Sequence, residues 1–483
     1  MLHIGRNIFS LIFSRVLAGI ILFLIYTRLA EYLGPEVAGQ YGLLAAYVTV
    51  FNFFIDLGMS QLVIKKISEN RSNASKYLGN YFAIQLLLAV FFMLIMDSIV
   101  FFADYPQIVK NSLYLASLGL FLSTLSLPFR CVINAFQKLT AIARVNFLNS
   151  LINGGIMVLA IVLRQDLFFL AFISVAVGLF DLLVYSFLVH SKFVKFKPEF
   201  DKFFWKSLWV ATLPFMFLTF FSIYNRIDTL LLPHFRNFVE TGYYTAAYKF
   251  WDVLAFVPAV IGISLYPFFA ERLTLGKKDE VRSVLEIFTR YMIAVGVPMI
   301  VGAALLSKKM ILSFYGPDFA PAAPALAFLV AAVSILFIYS PANSLVISQQ
   351  TKAATKITGL NLVFNITANI LLLPVFGFVA AAAITVVSEL IQTVGYSYLI
   401  KTRITQFSFF RHLVKPVIAA AIMAMAILVL KNLNLWIIIA ASGLVYTLAL
   451  LLLRFFHKPD WELFKAAVNF RKPVQADTQQ QIT

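Results

Sequence analysis

Three cations lie deep inside stretches that are otherwise almost wholly apolar: Arg15, Arg226 and Lys249. A charge at the centre of a bilayer costs roughly 2.5–3.5 kcal/mol on insertion scales, so it has a partner or a use. Converging cations suit an anion, and phosphate or diphosphate matches the donor fork of arginine. At an effective dielectric of about 20, one cation–phosphate pair at about 4 Å contributes about 4 kcal/mol before desolvation. Carboxylates lie close in sequence. Asp252 follows Lys249 at i+3 and shares its helix face, so the two can pair. Asp228 follows Arg226 at i+2, a spacing that does not face its neighbour. Arg15 has no acid in its own stretch. Asp228, Asp252, Glu389 and Asp56 are the candidates for ion coupling; paired off within the bundle, the same charges would be structural.

Amides add a second theme. Asn361, Asn365 and Asn369 repeat at i, i+4 and i+8, which makes one polar stripe on a helix. Such a stripe lines a wet, sugar-tolerant channel or joins helix to helix; the expectation taken here is a channel. Asn146, Asn149 and Asn153 place further amides at other depths.

The elements that must hold these residues are membrane spans. The chain of 483 residues is 61% hydrophobic and 13% charged, with 50 Phe. Soluble domains carry about 25% charged residues. Fourteen apolar stretches reach the length of about 20 residues that a spanning helix needs: 7–29, 38–63, 77–101, 111–130, 145–163, 167–189, 208–232, 243–268, 290–307, 325–347, 357–373, 377–400, 415–430 and 435–453. No segment alternates like a membrane strand. The expected class is an all-α integral membrane protein. Pro214, Pro258, Pro267, Pro298, Pro341 and Pro374 sit in or at the ends of spans, where a missing N–H permits bending. Residues 271–290 mix charge with Leu273, Val281, Val284, Leu285 and Phe288, as a helix lying on the membrane surface would.

Of the 39 Lys and Arg residues, twenty-nine fall on the side of the N-terminus and seven on the other. The positive-inside rule then puts both termini in the cytoplasm. That also accounts for the net charge of +17 without nucleic acid. The first span is too long for a cleavable signal core. The single Cys131 excludes an intrachain disulfide, and the five His are scattered without ligand spacing, so neither a metal nor another cofactor is expected. Walker, dinucleotide, Ser–His and HExxH patterns are missing, which argues against an enzyme.

Two hairpins echo one another. Gly39-Gln-Tyr41 and Gly58-Met-Ser60 match Gly242-Tyr-Tyr244 and Gly262-Ile-Ser264 at offsets of 203 to 204 residues, and Ala45-Ala46-Tyr47 echoes Ala246-Ala247-Tyr248. The offset equates spans 1–2 with spans 7–8. An even number of spans per repeat gives two lobes of one orientation, as in transporters that rock about a midplane site. The expected plan is a six-helix lobe at 1–190, a cytoplasmic linker at 191–207, a second six-helix lobe at 208–400, two added spans within 401–456 and a tail at 457–483. Arg15, Arg226 and Lys249 would then meet between spans 1–2 and 7–8.

The run from Arg28 to Tyr41, the segment Asp56-Leu-Gly-Met-Ser60 with the basic residues after it, Arg226-Ile-Asp-Thr-Leu-Leu-Leu232, and Gly242-Tyr-Tyr-Thr-Ala-Ala-Tyr-Lys249 resemble bacterial polysaccharide flippases. These are the Wzx-type O-antigen and repeat-unit flippases of the multidrug/oligosaccharidyl-lipid/polysaccharide exporter superfamily. The resemblance is strongest over residues 1–80 and 220–300. It implies two lobes in a V and alternating access. It also implies a cationic cavity that takes undecaprenyl-diphosphate-linked oligosaccharide across the cytoplasmic (inner) membrane. Polysaccharide polymerase and glycosyltransferases are the implied partners. The family's cationic position in span 1 falls on Arg15, and its charged start of lobe two on Arg226 and Asp228; Lys249 comes from the residue argument alone. Lipid II flippases share fourteen spans and a cationic cavity. Drug exporters of the superfamily rest on carboxylates in lobe one, for which Asp56 and Asp181 are available.

Overall fold

The computed structural model describes the backbone of residues 2–220, 224–407 and 412–456, with side chains from residue 19 onward except 213–215 and 217–225. Fifteen helices make up the described chain: α1 (Leu2–Asp56), α2 (Met59–Glu69), α3 (Ala74–Phe102), α4 (Gln107–Ala135), α5 (Leu139–Val162), α6 (Leu167–Lys192), α7 (Lys202–Phe220), α8 (Tyr224–Phe235), α9 (Phe238–Leu254), α10 (Phe256–Thr274), α11 (Lys278–Tyr315), α12 (Ala323–Gln349), α13 (Thr351–Arg403), α14 (Val414–Val429) and α15 (Leu435–Leu452). Ten helical stretches are long and apolar enough to cross a membrane, and α14 is a shorter apolar helix. Two of the ten, those within α1 and α13, double back on single glycines, Gly34 (φ 77°) and Gly377 (φ 64°). Each bend serves as the hairpin between two expected spans. Pro35 starts the second arm of α1, where its missing N–H costs no hydrogen bond.

Several expected spans are broken. The second span divides at Leu57 (φ 49°) and Gly58 (φ 77°), separating α1 from α2. Asp56 holds this break. Its carboxylate accepts from the Ser60 amide at 3.0 Å, the Ser60 hydroxyl at 2.7 Å and the Tyr81 hydroxyl at 2.7 Å. With three donors committed, Asp56 acts as the cap of α2 in this conformation. Asp56→Ala is expected to lower the thermal midpoint of the solubilised protein. Three donors lose their acceptor, at about 1–3 kcal/mol for each that stays buried. An unchanged melting curve would remove this account of Asp56.

The eighth span bends at Ala255, between α9 and α10. Pro258 explains the bend: it cannot donate to the carbonyl of Leu254. Pro298 and Pro341 lie inside α11 and α12, which stay uninterrupted. The surface helix expected at 271–290 does not form as a separate element. Gly276 (φ 74°) ends the preceding turn, and α11 then runs from Lys278 through the membrane stretch to Tyr315. Val281 and Leu285 are buried against Phe269 and Leu345, so tertiary packing captures the apolar face that would have met lipid.

α1 to α6 make one lobe and α8 to α13 the other. α2 packs into the first lobe's core with Leu78, Tyr81 and Val132. α10 packs into the second with Tyr339 and Leu399. The linker lies along the start of α3: Asn80 Nδ2 donates to Glu199 Oε2 at 3.2 Å, and Asn80 Oδ1 accepts from the Asp201 amide and the Trp205 indole, both at 3.0 Å. The amides of Phe204 and Phe203, with Lys76 nearby, hold the Asp201 carboxyl below its ordinary range. Leu208 of α7 belongs to the first lobe's core, so the linker and α7 are tied to that lobe before the chain enters the second. α14 and α15 pack on the outside of α11, with the Tyr446 hydroxyl donating to the Ala294 carbonyl at 2.8 Å.

The lobes meet where α1 crosses α9. A Cβ on Gly39 would fall on the carbonyl oxygen of Phe238, and a Cβ on Gly242 on that of Pro35. Gly42 abuts the side chain of Thr245. Pro35 and Phe238, Gly39 and Gly242, and Gly42 and Thr245 are each separated by the same 203 residues. Each helix therefore gives the other what it receives, the signature of a two-fold contact. Glycine is required because the two backbones touch. The second half of the repeat diverges: Gly58 breaks a helix, whereas Gly262 lies within α10 and its carbonyl accepts from Ser344 at 3.3 Å.

Candidate functional site

Below the crossing, the lobes enclose a cavity of about 460 Å³. Its walls come from the first arm of α1 (Gly19, Phe23, Tyr26), the second arm (Tyr41, Ala45), α5 (Asn153, Met157) and α9 (Lys249, Asp252). Spans 1, 2 and 8 meet here together with span 5, while Arg226 of span 7 does not line the cavity and joins it only through Asp252. Two of the three cations are at this site. Arg226, on α8, donates to Asp252 Oδ1 at 2.7 Å. Lys249 Nζ lies 3.9 Å from Asp252 Oδ2. One carboxylate thus serves two cations, and the triad keeps a net charge of +1. Arg15 falls within α1, but its side chain lies outside the described residues.

Aromatic rings complete the setting. The Arg226 guanidinium sits 4.7 Å from the centre of the Tyr248 ring, and Lys249 Nζ sits 4.7 Å from that of Tyr26. Ring faces stabilise cations without neutralising them. Each of Arg226, Lys249 and Asp252 keeps about 30% of its side chain exposed: 27%, 27% and 32%. The cations are held yet reachable. Tyr26 and Tyr248 were not singled out in the sequence. Tyr248 lies in the repeated Ala-Ala-Tyr motif beside Lys249, which is the signal that could have found it.

The other carboxylates are placed differently. Asp228 is buried, accepts from the Thr229 amide at 2.8 Å and takes the Tyr244 hydroxyl. Glu389 is buried in α13 and accepts from the Tyr339 hydroxyl at 2.6 Å. Both lie within the second lobe and neither lines the cavity, although Asp228 is near enough to feel the charge of Arg226. Asn361, Asn365 and Asn369 are also enclosed. Asn365 Nδ2 donates to the Ser388 hydroxyl across the Gly377 hairpin at 3.0 Å, and Asn369 Nδ2 donates to Asn365 Oδ1 at 3.0 Å. The stripe joins the two arms of α13 and does not face the cavity in this conformation. Its spacing is correct, but each arm offers the other a polar face. A second cavity of about 800 Å³, between α1, α3 and α8, is lined mainly by apolar side chains such as Phe91, Leu94 and Leu230.

Fold and site together define a multi-pass, two-lobed all-α membrane protein. The chain belongs to the polysaccharide biosynthesis protein family, whose sequence profile matches residues 4–272. It is 27% identical over 176 residues to a probable flippase, AglR, of Haloferax volcanii, a match spanning 34% of this chain and 35% of that relative. Among solved structures it is similar to the lipid II flippase MurJ in an inward closed conformation, with a TM-score of 0.74, 16% identity, and coverage of 97% of this chain and 100% of that one. It is also similar to an inward-facing multidrug resistance MATE family transporter, with a TM-score of 0.59, 13% identity, and coverage of 80% and 96%. At these identities the structural likeness speaks for the fold.

Proposed function

We propose that the protein moves a polyprenyl-diphosphate-linked oligosaccharide, such as an O-antigen repeat unit, from the inner to the outer leaflet by alternating access. The observation that carries this reading is the triad on α8 and α9 beside the inter-lobe cavity, in which two reachable cations share one carboxylate. A diphosphate brings more charge than Asp252 and can take its place against Arg226 and Lys249. Asp252 would reoccupy the cations on release, so they are never left bare in a poorly hydrated site. Arg15 would add a third contact from α1. Asp228 and Glu389 would serve any coupling to an ion gradient. The chain would sit in a bacterial cytoplasmic membrane with both termini cytoplasmic. There it would work beside the glycosyltransferases that build the unit and the polymerase that consumes it.

Lipid II is the second reading, because it presents the same diphosphate and the same fold carries it. A drug antiporter is less well served, since the cavity repels organic cations.

Reconstituted protein tests the proposal. Undecaprenyl-diphosphate-linked repeat unit placed in the inner leaflet of liposomes is expected to become accessible to an external glycosidase, and to stay protected without protein. Uptake of a cationic dye driven by an ion gradient, with no movement of lipid-linked glycan, would overturn it.

A further inference from the structure

α5 presents two unlike faces. Phe147, Leu148, Leu151 and Leu159 are exposed, as a lipid-facing surface would be. Asn146, Asn149 and Asn153, at i, i+3 and i+7, share the opposite face. Asn153 lines the same cavity as Lys249. Asn149 Nδ2 donates to Asp181 Oδ1 of α6 at 2.7 Å. The Oδ1 atoms of both Asn149 and Asn153 are enclosed and accept no hydrogen bond, as is the Tyr185 hydroxyl one turn beyond Asp181. Buried polar atoms without partners are uncommon and costly, and three of those among the described residues belong to this pair of helices, α5 and α6. An enclosed acceptor beside a committed amide donor is what a ligand hydroxyl would complete.

We infer that this face of α5, with Asp181, is a saccharide-binding track that receives the sugars proximal to the diphosphate. The inference rests on the lipid-linked oligosaccharide reading above and locates its glycan. Amides and carboxylates suit sugars, because each ring hydroxyl both donates and accepts. From Asn153 to Asn146 the track runs about 10 Å along the helix axis, the reach of a short oligosaccharide. With Asn153 at the cation site, the diphosphate occupies one end and the glycan extends towards the N-terminal end of α5. That is the end that the distribution of Lys and Arg assigns to the cytoplasm, where the glycan is assembled. The asparagine stripe of α13 also holds enclosed atoms without partners, at Asn361 and Asn369, but none of its residues lines the cavity that holds Lys249.

The experiment compares two probes on purified protein in nanodiscs. One is undecaprenyl diphosphate without sugar; the other carries the full repeat unit. Asn149→Ala and Asn146→Ala are each expected to weaken binding of the full repeat unit by up to about tenfold, as loss of one or two hydrogen bonds would. Both variants are expected to bind the sugar-free diphosphate as the parent protein does, which shows that they remain folded. Asn149→Leu, which keeps the volume but loses the acceptor, is expected to show the same split. Equal binding of the glycosylated probe by parent and variants would overturn the track while leaving the diphosphate site standing. Failure of the parent protein to bind either probe would overturn the track together with the reading beneath it.

Discussion

Gly242→Val is expected to abolish transport while leaving the protein in the membrane, by excluding the conformation in which α1 and α9 cross. A valine Cβ would fall on the Pro35 carbonyl oxygen, and rigid backbone cannot yield as a flexible side chain would. Overpacking of this kind costs about 1–3 kcal/mol and occasionally more. A cost of about 1.4 kcal/mol shifts a two-state equilibrium tenfold, so the variant is expected to populate mainly the state open at this end. The two-fold relation sharpens the test. Gly39→Val makes the mirror clash with Phe238, so it is expected to give the same phenotype. Val37 and Phe238 lie in one packed cluster. Cysteines placed at these two positions are expected to cross-link in the parent protein and fail to do so in either valine variant. Transport and cross-linking at parental levels in both variants would show that the crossing is not a gate.

The crossing was half legible in the sequence. The offset of 203 residues paired Gly39 with Gly242, but a repeat says only that two segments are equivalent. Whether equivalent segments touch depends on where the pseudo-two-fold axis runs, and that is set by packing across both lobes. The spans were legible for a simpler reason, since an apolar run of spanning length has few alternatives in a bilayer. Their interruptions were not. Asp56-Leu-Gly reads as the interior of a span until Tyr81, from another helix, is seen to meet the carboxylate. Residues 271–290 show the converse error: an apolar face over charges reads as a surface helix, and only the partner at Phe269 shows that protein covers it. The amide stripes show how far periodicity reaches. Asn361, Asn365 and Asn369 and Asn146, Asn149 and Asn153 each lie on one face, and both faces follow from spacing. Spacing is silent on what stands opposite. Ser388 faces the first stripe and takes up Asn365, while Asn361 and the Asn369 carbonyl stay enclosed without a partner; the second meets the cavity at Asn153 and Asp181 at Asn149. The cations were found by type, because buried charge is rare. The finding that one acid holds two of them needed the turn at Arg236 and Asn237 that joins α8 to α9.

Arg226→Gln and Lys249→Gln are each expected to reduce transport of lipid-linked oligosaccharide by roughly tenfold or more, chiefly through weaker binding of the diphosphate. The gross attraction of about 4 kcal/mol per pair at an effective dielectric of about 20 is an upper limit. Both groups keep about 30% exposure, and each must leave Asp252 before it meets phosphate, so the net loss is smaller. Arg226→Lys separates charge from shape. It keeps the cation but loses the planar fork, and is expected to retain only part of the activity. Asp252→Asn provides the opposite sign. It removes the competitor from both cations, so diphosphate binding is expected to tighten. Turnover is expected to fall, because no carboxylate remains to reclaim the cations on release. A series in which the Gln variants bind diphosphate more weakly and Asp252→Asn binds it more tightly is what competition of substrate and carboxylate for the same cations produces. If all variants lose binding together with thermal stability, the triad is a structural ion cluster and the anion site lies elsewhere. If Arg226→Gln and Lys249→Gln transport normally, the cationic cavity has no part in recognition.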